Sequence, residues 1–173
     1  EGGQVTQGQA VIQSDGAAMT ILQSSPHANL QWQSYNIGAQ ASVTYQQPNT
    51  AAIAVNHILD RNGSQILGRL SANGQVFLIN PNGVLFGHDA QVDVGGLVAS
   101  TLELGEADIA AGRYRFEGGG GVVENQGHIQ AGRILLLGGE VRNSGELLAP
   151  EGRIELAAAS RASLTLDGPQ AFT

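Results

Sequence analysis

The 173-residue chain has no cysteine and no lysine. Without cysteine there is no disulfide framework, no thiolate metal site and no cysteine nucleophile, so stability rests on packing and backbone pairing. That absence also suits a chain that crosses an oxidising compartment without being trapped by a bridge. All eight basic residues are arginines, at 61, 69, 113, 115, 133, 142, 153 and 161, and no two-residue basic run occurs. With a net charge of −7, this scatter excludes the concentrated positive footprint that a nucleic-acid partner needs. Only 13% of residues are charged, and no apolar run approaches the roughly 20 residues that span a bilayer, so no stable membrane insertion is expected. The opening EGGQVTQGQA lacks a basic flank and an apolar core, so no signal peptide is read in it.

What the chain does have is 25 glycines. They punctuate short apolar stretches: QAVIQ at 9–13, MTILQ at 19–23, ASVTYQ at 41–46, QVFLI at 75–79, QVDVGGLVAS at 91–100, GRILLL at 132–137, GRIELA at 152–157 and SLTL at 163–166. Each has strand length. Between them stand Asn-Gly at 62–63, 73–74 and 82–83, Asn-Gln-Gly at 125–127, Asn-Ser-Gly at 143–145 and four glycines at 118–121, all of them turn chemistry. The segment TAAIAVNHILD at 50–60 also fits a helical spacing, but alternation of Ile53 and Val55 favours strand. The first 50 residues carry ten glutamines and the first 60 only three charges, which suits hydrogen-bonded edges and solvated strand faces.

Two stretches repeat. Val123 to Gly139 aligns with the stretch beginning at Val141, matching Asn125 with Asn143, Gly127 with Gly145 and Ala131 with Ala149 at a spacing of 18, while the Gly-Arg-Ile triplets at 132–134 and 152–154 are 20 apart. A unit of 18–20 residues with strands and turns but no helix is what one β-solenoid coil requires. At that length the chain holds eight or nine coils if nothing else intervenes. One all-β domain over 1–173 is expected, with its regular coils at about 90–173. Leu135-Leu136-Leu137 reads as a strand covered on both faces.

Within VFLINPNGVLFG, Asn80, Pro81, Asn82 and Gly83 form a tight-turn tetrad between two apolar runs. Proline fixes φ for the second turn position, and the asparagines suit the first and third through side-chain bonds to backbone. None of the four is a nucleophile or a general base. The tetrad is therefore a structural motif that acts through shape, holding a corner so that its flanking strands stay in register.

The stretch LSANGQVFLINPNGVLFG with AQVDVGGLVAST at 90–101 resembles the haemagglutination-activity, or two-partner-secretion, domain at the N-terminus of filamentous-haemagglutinin-like exoproteins (TpsA) of Gram-negative bacteria. GQVTQGQAVI, LQWQSYNIGAQASVTYQQPN and SQILGRLSANG upstream, and GRYRF with VVENQGHI downstream, extend the resemblance over essentially the whole chain. It implies a right-handed parallel β-helix, or solenoid, with an N-terminal cap at about 1–50 and extra-helical strands. The implied role is a secretion-signal module, recognised by the periplasmic POTRA domains of a cognate outer-membrane TpsB transporter and nucleating β-helix folding during export. The module would be a monomer, transiently periplasmic and then secreted or at the cell surface, with no cofactor, no metal and no enzymatic activity. A second motif of some members, Asn-Pro-Asn-Leu, is missing: residues 60–65 hold only Asn62-Gly63.

Trp32, Tyr35, Asn36, Ile37 and Gly38 are the candidate partner-recognition stretch, on the expectation that an amide-rich strand within 30–46 receives a partner strand through its backbone. Trp32 itself reads first as a cap or core anchor because of its large apolar area. The histidines, at 27, 57, 88 and 128, lack ligand spacing and read as turn and surface residues. Asp89, Asp93, Arg113 and Arg115 are what a polysaccharide-active solenoid enzyme would use, although no dense acidic cluster accompanies them. A direct adhesin, whose solenoid surface binds host glycan or protein, is the main alternative to the secretion module. Arg113-Tyr114-Arg115-Phe116 reads as outward and inward alternation, and the sequon Asn62-Gly63-Ser64 as a chance match.

Overall fold

A computed structural model describes residues 1–105, 113–150, 152–167 and 171–172. Three sheets wrap the chain into a right-handed parallel β-helix. Sheet I contains β2 (Ala10–Asp15), β3 (Ala18–Gln23), β5 (Ser42–Gln46), β8 (Arg69–Ala72), β11 (Gln91–Val94), β16 (His128–Ala131) and β19 (Glu146–Leu148). Sheet II contains β1 (Gln4–Gln7), β4 (His27–Trp32), β6 (Ile53–Ile58), β9 (Gln75–Ile79), β12 (Gly96–Ser100), β17 (Arg133–Gly138) and β20 (Arg153–Ala158). Sheet III is narrower: β7 (Ser64–Ile66), β10 (Val84–Phe86), β15 (Val122–Asn125) and β18 (Glu140–Asn143). Within the segment 50–60, Ile53–Ile58 form strand β6, as the alternation favours.

Six coils stack, not eight or nine. The shortfall has two causes. Early coils take a longer stride, with Ser42 pairing with Arg69 and His27 with Ile53, and the strands at 103–104, 113–117, 161–167 and 171–172 lie outside the coils. The repeat itself is confirmed in the pairing: Val123 lies opposite Val141, Asn125 opposite Asn143 and Arg133 opposite Arg153. Parallel stacking already starts at β3, which pairs with β5, so the coils begin well before residue 90. Within the first 50 residues only β1 and β2 run antiparallel, against β4 and β3, and they lie across the N-terminal end of the coils. Gly16, with φ 58°, makes the hairpin turn between β2 and β3.

Alternation sends every second side chain inward, where like positions stack from coil to coil. One column is Val43, Leu70, Val92 and Ile129, closed at either end by Met19 and Leu147. Another is Leu30, Asn56, Leu78, Ala99 and Leu136. Each fully buried aliphatic side chain in such a column contributes about 1.5–3 kcal/mol.

The middle of sheet II, from β6 through β9 and β12 to β17, is buried on both faces. Its outer face is covered by a flap made of β13 (Glu103–Leu104), β14 (Arg113–Glu117), β21 (Arg161–Asp167) and β22 (Ala171–Phe172), all antiparallel. Tyr114 and Phe116 point from β14 onto Phe77, Val98, Leu135 and Leu137, while Arg113 and Arg115 face solvent. This is why β9 and β12 read as unbroken apolar runs and why three leucines stand side by side in β17. These are the extra-helical strands expected from the resemblance.

The corners between sheets explain much of the glycine. A Cβ on Gly132 would lie 2.8 Å from the Gly95 carbonyl oxygen, and one on Gly95 would lie 2.8 Å from that of Gly74, so this corner has room for glycine alone.

Candidate functional site

The tetrad forms the corner from sheet II to sheet III. Gly83 N–H donates to the Asn80 carbonyl at 3.0 Å, closing the turn, and Asn80 Oδ1 accepts the Asn82 N–H at 3.0 Å. Asn80 Nδ2 reaches back one coil to Asn62 O (3.2 Å) and Ser64 Oγ (3.0 Å), while its own N–H donates one coil forward to Ser100 O (2.9 Å). One fully buried asparagine thus joins three successive coils. Asn82 is exposed and donates to Asp60 O at 2.7 Å. Gly83 has φ 120°, and a Cβ there would lie 3.1 Å from Val122 O. The tetrad's turn chemistry is the one read from sequence; its inter-coil bonds were not legible there.

The two asparagines should therefore differ. Asn80→Ala strands the Asn62 carbonyl and the buried Ser64 hydroxyl of the preceding coil and the Asn82 N–H of its own turn, and is expected to cost about 2–4 kcal/mol; Asn82→Ala removes one exposed bond and is expected to cost about 0.5–1 kcal/mol. Urea unfolding of both variants checks this. Equal losses would show that the buried bonds across coils carry no special weight.

Residues 32–38 are placed differently from the expectation. The side chains of Trp32, Tyr35 and Ile37 lie inside the helix, whereas Asn36 and Gly38 are exposed. Trp32 is the anchor that the first reading gave it: the Gly3 backbone lies on its indole so closely that a Cβ would sit 2.5 Å from the ring. Its Nε1 donates to Asn56 Oδ1 at 2.9 Å, and the Tyr45 hydroxyl donates to the same oxygen at 2.9 Å. Tyr35 and Tyr45 share a hydroxyl contact of 2.8 Å, and Tyr35 meets the indole edge to face at 5.3 Å. Asn36 Oδ1 and the Ile37 backbone pin the loop onto Gln65. Strand addition within 30–46 has no free edge to use in the folded chain, since β4 is paired by β1 and β6, and β5 by β3 and β8.

All three tyrosines are affected by burial. Desolvation pushes the Tyr35 phenol well above its usual value and does the same to Tyr45, whose partner Tyr35 adds to the effect; Tyr114, under the flap, is pushed up to about 12. The fold favours the neutral phenols, so their contribution is intact below about pH 10 and is lost as pH rises beyond it, where unfolded phenols ionise and folded ones resist. Stability is expected to fall steeply above about pH 10, and less steeply in Tyr35→Phe/Tyr45→Phe, as read by urea unfolding across alkaline pH.

Two buried amide features escaped the sequence reading. Asn56 sits in an otherwise apolar interior column and donates to Phe77 O at 3.1 Å; an asparagine inside AAIAVNHIL was the available signal. Gln47 Nε2 donates to Gln23 Oε1 (3.1 Å) and Gln75 O (3.1 Å), while its Oε1 accepts the Gly74 N–H at 2.9 Å. The early glutamines therefore include interior braces as well as solvated face residues.

The remaining candidates do not converge. His27, His57 and His128 lie on strands, contrary to the turn assignment; His88 lies on an exposed turn, 3.2 Å from Asp89, and His57 is half-buried. Asp93 is on β11 while Asp89 is not, and Arg113 and Arg115 are out on the flap. Among the described residues, no three His, Asp or Glu side chains gather as a metal site. Ser64 of the sequon is buried against Asn80. No helix is long and apolar enough to cross a membrane among the described residues.

Residues 1–120 match the family model described as the TPS secretion domain. Two heme/hemopexin-binding proteins of Haemophilus influenzae are similar: one is 43% identical over 57% of this chain, the other, from strain Rd, 34% identical over 96% of it. The chain spans only 11% and 20% of those proteins. The crystal structure of the HMW1 secretion domain from Haemophilus influenzae matches all of this chain and 48% of its own, at 32% identity and a TM-score of 0.90. The filamentous hemagglutinin secretion domain matches all of this chain and 68% of its own, at 15% identity and a TM-score of 0.68, a likeness of fold. With more than half its length under the family model and the same coils throughout, the chain belongs to the TPS secretion domain family.

Proposed function

We propose that this domain is the export signal of a larger exoprotein, read by the periplasmic POTRA domains of a cognate outer-membrane TpsB transporter, and that its coils template the β-helix that follows. The family match over residues 1–120 carries the reading. Templating draws its support from the asymmetry of the two ends. The N-terminal end is covered by β1 and β2, whereas β18, β19 and β20 each terminate their sheets and leave Ile154 and Leu156, opposite the buried Ile134 and Leu136, 41% and 47% exposed. The interior columns run out there, so a further coil adds both hydrogen bonds and apolar cover. The free edges available to a transporter strand at the other end belong to β1 and β2.

The test is export. With a signal peptide attached, the chain is expressed with and without the transporter, and medium and periplasm are assayed. Partner-dependent appearance in the medium is expected. A folded product retained in the periplasm despite the partner, and not captured by its POTRA domains, would overturn the reading.

A further inference from the structure

The outer face of sheet I carries a trough that the secretion reading does not use. Two adjoining depressions, of about 450 and 470 Å³, share Ser71 and Asp93 in their walls. Together they run from β5 to β19. That is five parallel strands and four inter-strand steps, or roughly 19 Å at ~4.8 Å per step. Sheet II has its outer face under the flap and sheet III is only three or four residues wide, so this is the long face left open.

The pairing register explains the shape. Thr44, Ser71, Asp93 and Gln130 occupy one outward row, which ends on Leu148, and Arg69, Gln91 and His128 the row beside it, which ends on Glu146. The short side chains at the start of the first row form a floor beside the longer ones of the second. Amide, hydroxyl, carboxylate, guanidinium and imidazole groups therefore repeat at strand spacing, donors interleaved with acceptors.

We propose that this trough binds an extended, neutral oligosaccharide. A sugar hydroxyl both donates and accepts, so it is satisfied by a mixed row of this kind, whereas a polyanion meets Asp93 here and Glu146 at the end of the second row on a chain of net charge −7. An apolar ligand would leave the row's polar groups desolvated and unpaired. The length of the trough suits several linked units rather than a single sugar. This is independent of the export reading, and either can fail alone.

The test is an NMR titration of the isotope-labelled chain with cellotetraose and, separately, chitotetraose, two neutral tetrasaccharides. Saturable shifts confined to amides of β5, β8, β11, β16 and β19 are expected with at least one of them. Asp93→Ala/Gln130→Ala is expected to weaken that binding about tenfold or more, and Gln91→Ala by a smaller factor. Glu124→Ala, on sheet III, should leave it unchanged. All four positions are outward or half-exposed, and amide spectra report whether each variant is folded. Absence of saturable shifts with both sugars, undiminished binding by the double variant and by Gln91→Ala, or binding of polygalacturonate in preference to both, would overturn the proposal.

Discussion

Replacing Asn56 by alanine is expected to lower the unfolding free energy by about 3–5 kcal/mol, because it strands several buried groups at once. Trp32 Nε1 and the Tyr45 hydroxyl both donate to Asn56 Oδ1, and Phe77 O accepts from its Nδ2. None of these groups has water at hand: Asn56 is fully buried, and Trp32 and Tyr45 are nearly so. A typical domain holds only about 5–15 kcal/mol in total, so the first coils should become the weak point of the molecule. Asn56→Leu tests the same idea from the other side. It completes the apolar column between Leu30 and Leu78, yet the indole and phenol donors stay unpaired. The urea midpoint, read by Trp32 fluorescence, should fall for both variants. A loss below about 1 kcal/mol in Asn56→Ala would mean that the network does not hold these coils together.

Phe77→Ala is the second large effect, expected at about 3–5 kcal/mol. Phe77 is fully buried on the outer face of sheet II, with its ring centroid 5.3 Å from that of Tyr114. The variant therefore removes the floor on which the flap rests. Hydrogen exchange should show protection lost first at β14, which rests on the coils through the apolar cluster of Tyr114 and Phe116 with Phe77, Val98, Leu135 and Leu137. Leu78→Ala, one residue along and facing inward, is the control: it should destabilise comparably while leaving β14 protected in proportion to the rest. Equal behaviour of the two variants at β14 would show that the flap does not depend on that surface.

How much of this was legible in the sequence follows from what repeats. The pairs Asn125 with Asn143 and Arg133 with Arg153 were readable as offsets of 18 and 20, because late coils are short and their turns recur, and both offsets are the observed registers. The triple leucine also signalled burial on both faces. The coil number was not legible. Early strides are longer and irregular, and a departure such as β13 and β14 leaves no periodic mark. The inward orientation of Trp32, Tyr35 and Ile37 was hidden because they stand on either side of a corner, where period-2 reasoning stops applying. Amides were misjudged for a related reason. Composition alone cannot separate a glutamine on a wet face from one, such as Gln47, that braces a corner from within.

The pairing table has a kinetic consequence. Most parallel strand pairs lie about 18–27 residues apart, so most new coils close a loop of modest size onto a surface already in place and assembly proceeds as a zipper; one step is longer, because β10, β11 and β12 pair with β15, β16 and β17 across 37–39 residues that include β14. The longest wait is that of β14, which needs β21: Arg113 lies opposite Thr165. Until that later strand arrives, Tyr114 and Phe116 have a floor but an unpaired edge. The zipper therefore has one delayed latch, set late in the chain. Folding rates measured on this domain should show a slow phase at β14 amides that follows closure of the six coils.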